Sequence, residues 1–226
     1  MKAGIVARAA QIGIMFLLIA GLLFGGAGTL DWFWGWLYVL IYLASVLVNA
    51  WFLRHSPELI AERGRPAESM LAWDKVLGGL WAVAVFVALP LVAGLDLRFG
   101  WTGPVDVAWH LLGATLFAAG LALFGWAMIV NAYFSTVARL QRDRGQTVCR
   151  EGPYRFVRHP GYAGAILESI GSPLLLGSVW ALLPAATAVA CMAARTLLED
   201  RMLLAELPGY AEYASEVRQR LVPLVW

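Results

Sequence analysis

Four apolar runs, at about residues 5–27, 32–53, 76–95 and 105–134, set the limits on what this chain can fold into. Each reaches the ~20 residues that an α-helix needs to cross a bilayer. Hydrocarbon offers no water to exposed backbone amides, so runs of this length specify helices, whose backbone bonds are internal. Two shorter apolar runs follow, at about 162–176 and 179–198, split by Gly171, Ser172, Pro173 and Gly177. Together they predict a helical hairpin that enters and leaves on the same side. The expected fold is an all-α polytopic membrane helical bundle: four long spans plus a carboxy-terminal helical hairpin. No stretch is left over for a soluble domain, so residues 1–226 read as a single integral membrane domain, with amino-terminal helices over 1–104 and a chemistry-bearing part over 105–226. The first run carries Lys2 and Arg8 at its start, and Gly25-Gly26-Ala27-Gly28 resembles a cleavage zone. Its apolar core exceeds the ~7–15 residues of a secretory signal, which predicts a retained helix.

Charge placement fixes the expected orientation. With the amino terminus in the cytoplasm and the runs alternating, only Arg98 of the 17 Lys and Arg residues falls outside. That asymmetry follows the positive-inside rule. The net charge of +2 therefore hides a strongly basic cytoplasmic face, suited to anionic lipid headgroups. With Ala-, Gly- and Arg-rich usage, this points to a multi-pass protein of a bacterial inner membrane with its amino terminus cytoplasmic.

Cys149 falls in a cytoplasmic loop and Cys191 within the last helix, depths that do not suit a disulfide. His55, His110 and His159 are scattered, and no Cys-x-x-Cys is present, so neither a metal site nor a nucleic-acid partner is expected.

Three segments share the inner face. Residues 55–75 are polar, with Pro57 and Pro66, and are expected to lie along the interface as short amphipathic pieces. Residues 137–160 form a cationic loop. Residues 198–226 form a tail bearing Glu199, Asp200, Glu206, Glu212 and Glu216, with leucines and tyrosines at helical spacing interrupted at Pro208-Gly209. Basic loop and acidic tail are expected to pair, and the hairpin between them to close a pocket at the inner leaflet.

Within this face, Arg158-His159-Pro160-Gly161-Tyr162 is the strongest local signal. Pro160 pushes His159 out of the helical region, so the backbone aims the histidine. A helix starting near Gly161 offers amides to a carboxylate or phosphate. A simple headgroup-binding patch needs the charge but not this proline geometry. Arg195 and Glu199, four apart, share one helix face; they serve either as an interfacial salt-bridge ladder or as ligand-holding groups beside Asp200. Glu168 and Asn131 fall within the bilayer, where ionisable and polar groups are functional candidates. Glu168 equally suits a protonated core residue. His110 reads as a satisfied interfacial histidine, and the tryptophans at 32, 34, 36, 101 and 109 as an aromatic belt.

The string Gly-Pro-Tyr-x-x-Val-Arg-His-Pro-x-Tyr-x-Gly over residues 152–164 resembles the signature of the isoprenylcysteine carboxyl methyltransferases and their phospholipid methyltransferase relatives. The resemblance extends to Asn131 and Phe134, to Gln146-Thr147-Val148, to Arg195-Thr196 with Glu199-Asp200, and to a tail containing Gly209-Tyr210-Ala211-Glu212-Tyr213. It covers roughly the carboxy-terminal half; the first hundred residues match only as generic membrane helices. It implies an S-adenosylmethionine cofactor bound at the cytosolic face by Gln146, Val148, Gly152, Pro153, Tyr154, Arg158, His159, Tyr162, Glu199 and Asp200. The catalytic set it implies is Arg195, Glu199 and Asn131. The acceptor, lipophilic or small, would arrive from the inner leaflet and offer a carboxylate, thiol or amine. The tail departs from the family form: Leu207-Pro208-Gly209-Tyr210 stands where a longer Phe-Gly-Glu-Glu-Tyr is usual.

Two other readings compete. Membrane sterol reductases carry a similar arginine-histidine-proline-x-tyrosine stretch and use NADPH, but are longer and lack the arrangement from Arg195 to Asp200. A non-enzymatic lipid-binding membrane protein is the other, although no repeat-related pair of broken helices is visible.

Overall fold

The computed structural model describes residues 2–54, 70–135 and 137–222. The interfacial pieces expected between 55 and 75 lie mostly outside the described residues. The helices are α1 (Lys2–Ala27), α2 (Phe33–Leu53), α3 (Ala72–Phe99), α4 (Val107–Val130), α5 (Pro160–Leu176), α6 (Leu182–Glu206) and α7 (Tyr210–Glu216). Among the described residues there is no strand. All but α5 and α7 are long and apolar enough to cross a membrane. With 17 residues, α5 extends about 25 Å. It packs between α4 and α6 as the first arm of the expected hairpin. The architecture is thus a polytopic helical membrane bundle of four long helices and a hairpin.

In the centre, α5 can carry Glu168, Ser169 and Ser172 because neighbouring helices cover it, all three being buried. The hydroxyls of Ser169 and Ser172 donate to the carbonyls of Ala165 and Glu168 on their own helix. Against α4, the helices approach to backbone contact. A Cβ on Gly120 would lie 2.5 Å from the Glu168 nitrogen, and one on Gly171 2.4 Å from the Phe117 nitrogen. The same device joins α1 to α3, where a Cβ on Gly94 would sit 2.3 Å from the Leu23 carbonyl oxygen. Small residues that admit close backbone approach are how membrane helices gain packing energy without a hydrophobic drive.

A π turn at Ala84–Ala88 interrupts α3. Pro90 follows and has no N–H for the Phe86 carbonyl, so the widened turn absorbs the missing bond. At the end away from the cationic loop, Asp96 accepts from the Thr102 amide and hydroxyl, each at 2.6 Å, and from the Ser178 hydroxyl. That carboxylate ties α3 to the α5–α6 turn. Nearby, His110 stacks on Trp34 at 4.2 Å and its Nδ1 lies 2.8 Å from the Leu175 carbonyl oxygen. The tryptophans divide: Trp36, Trp101 and Trp109 are exposed as a belt requires, whereas Trp32 is buried against Phe24 and Trp34 is held by the histidine.

Candidate active site at the basic end

The segment after α4 is built by side chains that replace helical hydrogen bonding. Asn131 ends α4 in an extended conformation; its carbonyl side chain accepts from the Tyr133 amide at 2.9 Å and its Nδ2 donates to the Tyr154 hydroxyl at 3.1 Å. Further on, Gln146 accepts from the Gln141 amide at 2.7 Å, and Gln141 Nε2 donates to the Tyr133 carbonyl at 2.6 Å. Gly152 has φ +54°, and a Cβ there would meet the Trp126 indole at 2.9 Å. Left-handed backbone and lack of room both require glycine. Pro153 then starts a short 3₁₀ turn that buries Tyr154.

His159 precedes α5 at φ −124°, ψ 60°, outside the helical region as its position before Pro160 dictates. The amides of Arg158 and His159 donate to the carbonyls of Gln219 and Arg220, both at 2.9 Å, so the tail runs alongside this corner. Loop and tail also pair through charge: Arg142 with Glu206 at 2.9 Å and Arg150 with Glu216 at 2.7 Å.

These elements enclose a cleft between the loop, the start of α5, the end of α6 and α7, with about 740 Å³ of empty space including its open mouth. Asn131, Gln146, Val148, Tyr154, Arg158, His159, Tyr162 and Glu199 line it. So do residues the sequence did not single out for a site: Tyr133, Ser135, Val137, Arg139, Cys149, Leu203, Leu207 and the Tyr210–Tyr213 pair. In the tail, the tyrosines and leucines carried helical spacing and, at Tyr210 and Tyr213, a place in the family resemblance, but no assigned role in a site. Gly152, Pro153, Asp200 and Arg195 stand behind the wall.

Asp200 is the hub of that second layer. Arg158 grips it with Nε on one oxygen and Nη2 on the other, both at 2.8 Å. Tyr210 donates to it at 2.9 Å, Arg220 at 2.8 Å, and His159 Nε2 lies 3.2 Å away. Arg158 also donates through Nη1 to the carbonyls of Val217 and Arg218. Burial disfavours the Arg158 charge, but its bonds to Asp200 outweigh this and raise its pKa, so it stays charged. Burial likewise pushes the phenols of Tyr154, Tyr210 and Tyr213 well up, which keeps them as hydrogen-bond donors. Tyr213 uses its hydroxyl on the Tyr154 carbonyl at 2.7 Å.

Tyr162 connects the layers. Its hydroxyl donates to Glu199, its ring stacks on His159 at 5.7 Å, and the Arg195 guanidinium carbon lies 5.2 Å from its centre. Arg195 itself is held by Asp74 of α3, with Nε and Nη2 each 2.8 Å from the same carboxylate oxygen. Asp74 carried no signal beyond its place in a polar segment, because its partner lies 121 residues away.

A carboxylate set among aromatic rings, at the basic end of a membrane bundle, has the chemistry to hold a cationic or hydroxyl-rich small molecule. Residues 108–207, which comprise nearly all of α4, the loop, α5 and α6, match the family model of the phospholipid methyltransferases. The match stops before Tyr210 and Tyr213, so the tail wall of the cleft lies beyond it. A search of the curated proteins finds none that matches.

Proposed function

We propose that the chain transfers a methyl group from S-adenosylmethionine to a carboxylate, thiol or amine of a lipophilic or small acceptor drawn from the inner leaflet. The observation that carries this reading is coincidence: the stretch that matches the methyltransferase family is the one that builds three walls of the cleft. In the proposed setting, the cleft opens to the cytoplasm of a bacterial inner membrane, a placement supported by the one-sided distribution of Lys and Arg.

The residues present fit the cofactor. Glu199 places a carboxylate beside the Tyr162 ring, a pairing that favours a cation. Val148, Leu203 and Leu207 supply apolar walls for a planar base. When bound, S-adenosylmethionine supplies an electrophilic methyl group on a sulfonium.

The chain's own groups do the rest by alignment. Glu199 is oriented by Tyr162; Tyr162 is fixed between His159 and Arg195. Arg158, through Asp200, locks the corner that presents His159. Gly152, Pro153 and Tyr154 anchor the loop to α4 and hold Gln146, Val148 and Asn131 at the wall. In-line transfer to a carboxylate or thiolate needs no strong base, so positioning and exclusion of water supply the rate. Arg195 acts as a positioning residue behind Tyr162.

Calorimetric titration of the detergent-purified protein with S-adenosylhomocysteine, and separately with NADPH, tests the reading. Saturable binding of the first alone is expected. Binding of NADPH alone would transfer the protein to the reductases, and binding of neither by folded protein would leave a lipid-binding role.

A further inference from the structure

Arg195 and Glu199 stand one helical turn apart on the same face of α6, a spacing at which opposite charges ordinarily pair. The structure separates them. Arg195 is bonded to Asp74, and Glu199 is bonded to Tyr162. The ion pair is buried, with side-chain exposures of 5% for Arg195 and 0% for Asp74. The other oxygen of Asp74 accepts from the Ala138 amide at 2.7 Å, so one carboxylate joins α3, the loop and α6. A charge left unbalanced at such a depth is poorly screened by water or salt.

We propose that Asp74 is a specificity-determining positioning residue: by neutralising Arg195 it preserves the negative potential of Glu199 in the cleft, and so favours a cationic ligand over its neutral counterpart. The inference rests on the cofactor reading above. It explains why an arginine can sit 5.2 Å from the ring of Tyr162 without repelling a sulfonium on that side. The chemical consequence is discrimination between substrate and product. The sulfonium cofactor is held by the field of Glu199, while the thioether left after methyl transfer has lost the positive charge and is released more readily. Without Asp74, Arg195 sets a positive charge one turn from Glu199, whether or not its side chain moves, and the discrimination collapses.

The test uses two equilibrium probes on the full chain. Sinefungin carries an ammonium near the sulfonium position, and S-adenosylhomocysteine is a neutral thioether there. The quantity read is the ratio of their affinities. Asp74→Asn keeps an acceptor for the Ala138 amide but removes the charge, and should lower preference for sinefungin by about tenfold, a moderate effect for a unit charge one turn away. Arg195→Gln should shift the ratio the other way, and the double variant should return it near the wild-type value. A merely structural staple would weaken both ligands alike and leave the ratio unmoved. An unchanged ratio in the folded variants, or shifts in the same direction, overturns the inference while leaving the cofactor reading intact. Should Asp74→Asn fail to fold, Arg195→Gln and the double variant decide by the same ratio. Failure of the wild type to bind either probe overturns the cofactor reading instead, and this inference with it.

Discussion

Arg158 meets Asp200 side-on, one guanidinium nitrogen on each carboxylate oxygen at 2.8 Å. The pair is nearly inaccessible, with side-chain exposures of 5% and 1%. Lysine has no planar fork and cannot also reach the Val217 and Arg218 carbonyls. Arg158→Lys should therefore lower the thermal unfolding midpoint in detergent and expose the tail to protease. Arg158→Ala should cost about 1.5–3 kcal/mol, the range for a lost charged hydrogen bond, because Arg220 and Tyr210 still hold Asp200. Unchanged midpoints in both variants would show that the hub does not hold the fold.

Glu199 is distinguished from that hub by its place on the cleft wall. Glu199→Gln keeps an acceptor for the Tyr162 hydroxyl and removes the charge. It should weaken binding of a cationic cofactor analogue by about tenfold, with little change in thermal midpoint. Tyr162→Phe keeps the ring on His159 and should cost only a few-fold. Equal losses in fold stability and affinity would place Glu199 among the structural carboxylates.

The α4–α5 contact makes a different prediction, because it depends on space alone. Gly120→Ala puts a methyl 2.6 Å from the Gly164 carbonyl oxygen, and backbone cannot yield as a side-chain tip can. We expect a loss of about 2–3 kcal/mol, as for overpacking elsewhere. Gly79→Ala, where nothing lies within 4 Å, should be neutral or slightly stabilising.

Cys149 offers a reporter for the cleft. Burial raises its thiol pKa, and only the thiolate alkylates, so at a given pH less of it is reactive than of a free cysteine. Maleimide labelling should be slow near neutrality and accelerate as pH rises through the alkaline range. S-adenosylhomocysteine should protect it. Fast labelling at neutral pH, or none of this protection, would argue that the cleft binds differently.

The bundle was legible because length and apolarity leave few options in a membrane. The loop from Gly152 to Tyr162 was legible because proline and glycine restrict backbone rather than packing. What escaped was partnership across the fold. Arg195 reads naturally as paired with Glu199 four residues on, and only tertiary structure reveals that Asp74 takes it. Tyr210 and Tyr213 read as the apolar stripe of a tail helix, since periodicity shows that a face is buried but not what it is buried against. Trp32 likewise reads as belt and proves to be core.

The pairing of Arg158 and His159 with the carbonyls of Gln219 and Arg220 has a consequence for biosynthesis. A nascent chain emerges from its amino terminus, and membrane helices can insert and pack as they appear. The corner at 158–159 cannot acquire its strap until residues about sixty positions later have been translated. The strap therefore reaches this corner only after the helices that precede it in the chain have been made. A ribosome that stalls late would leave an inserted bundle with an unfinished site.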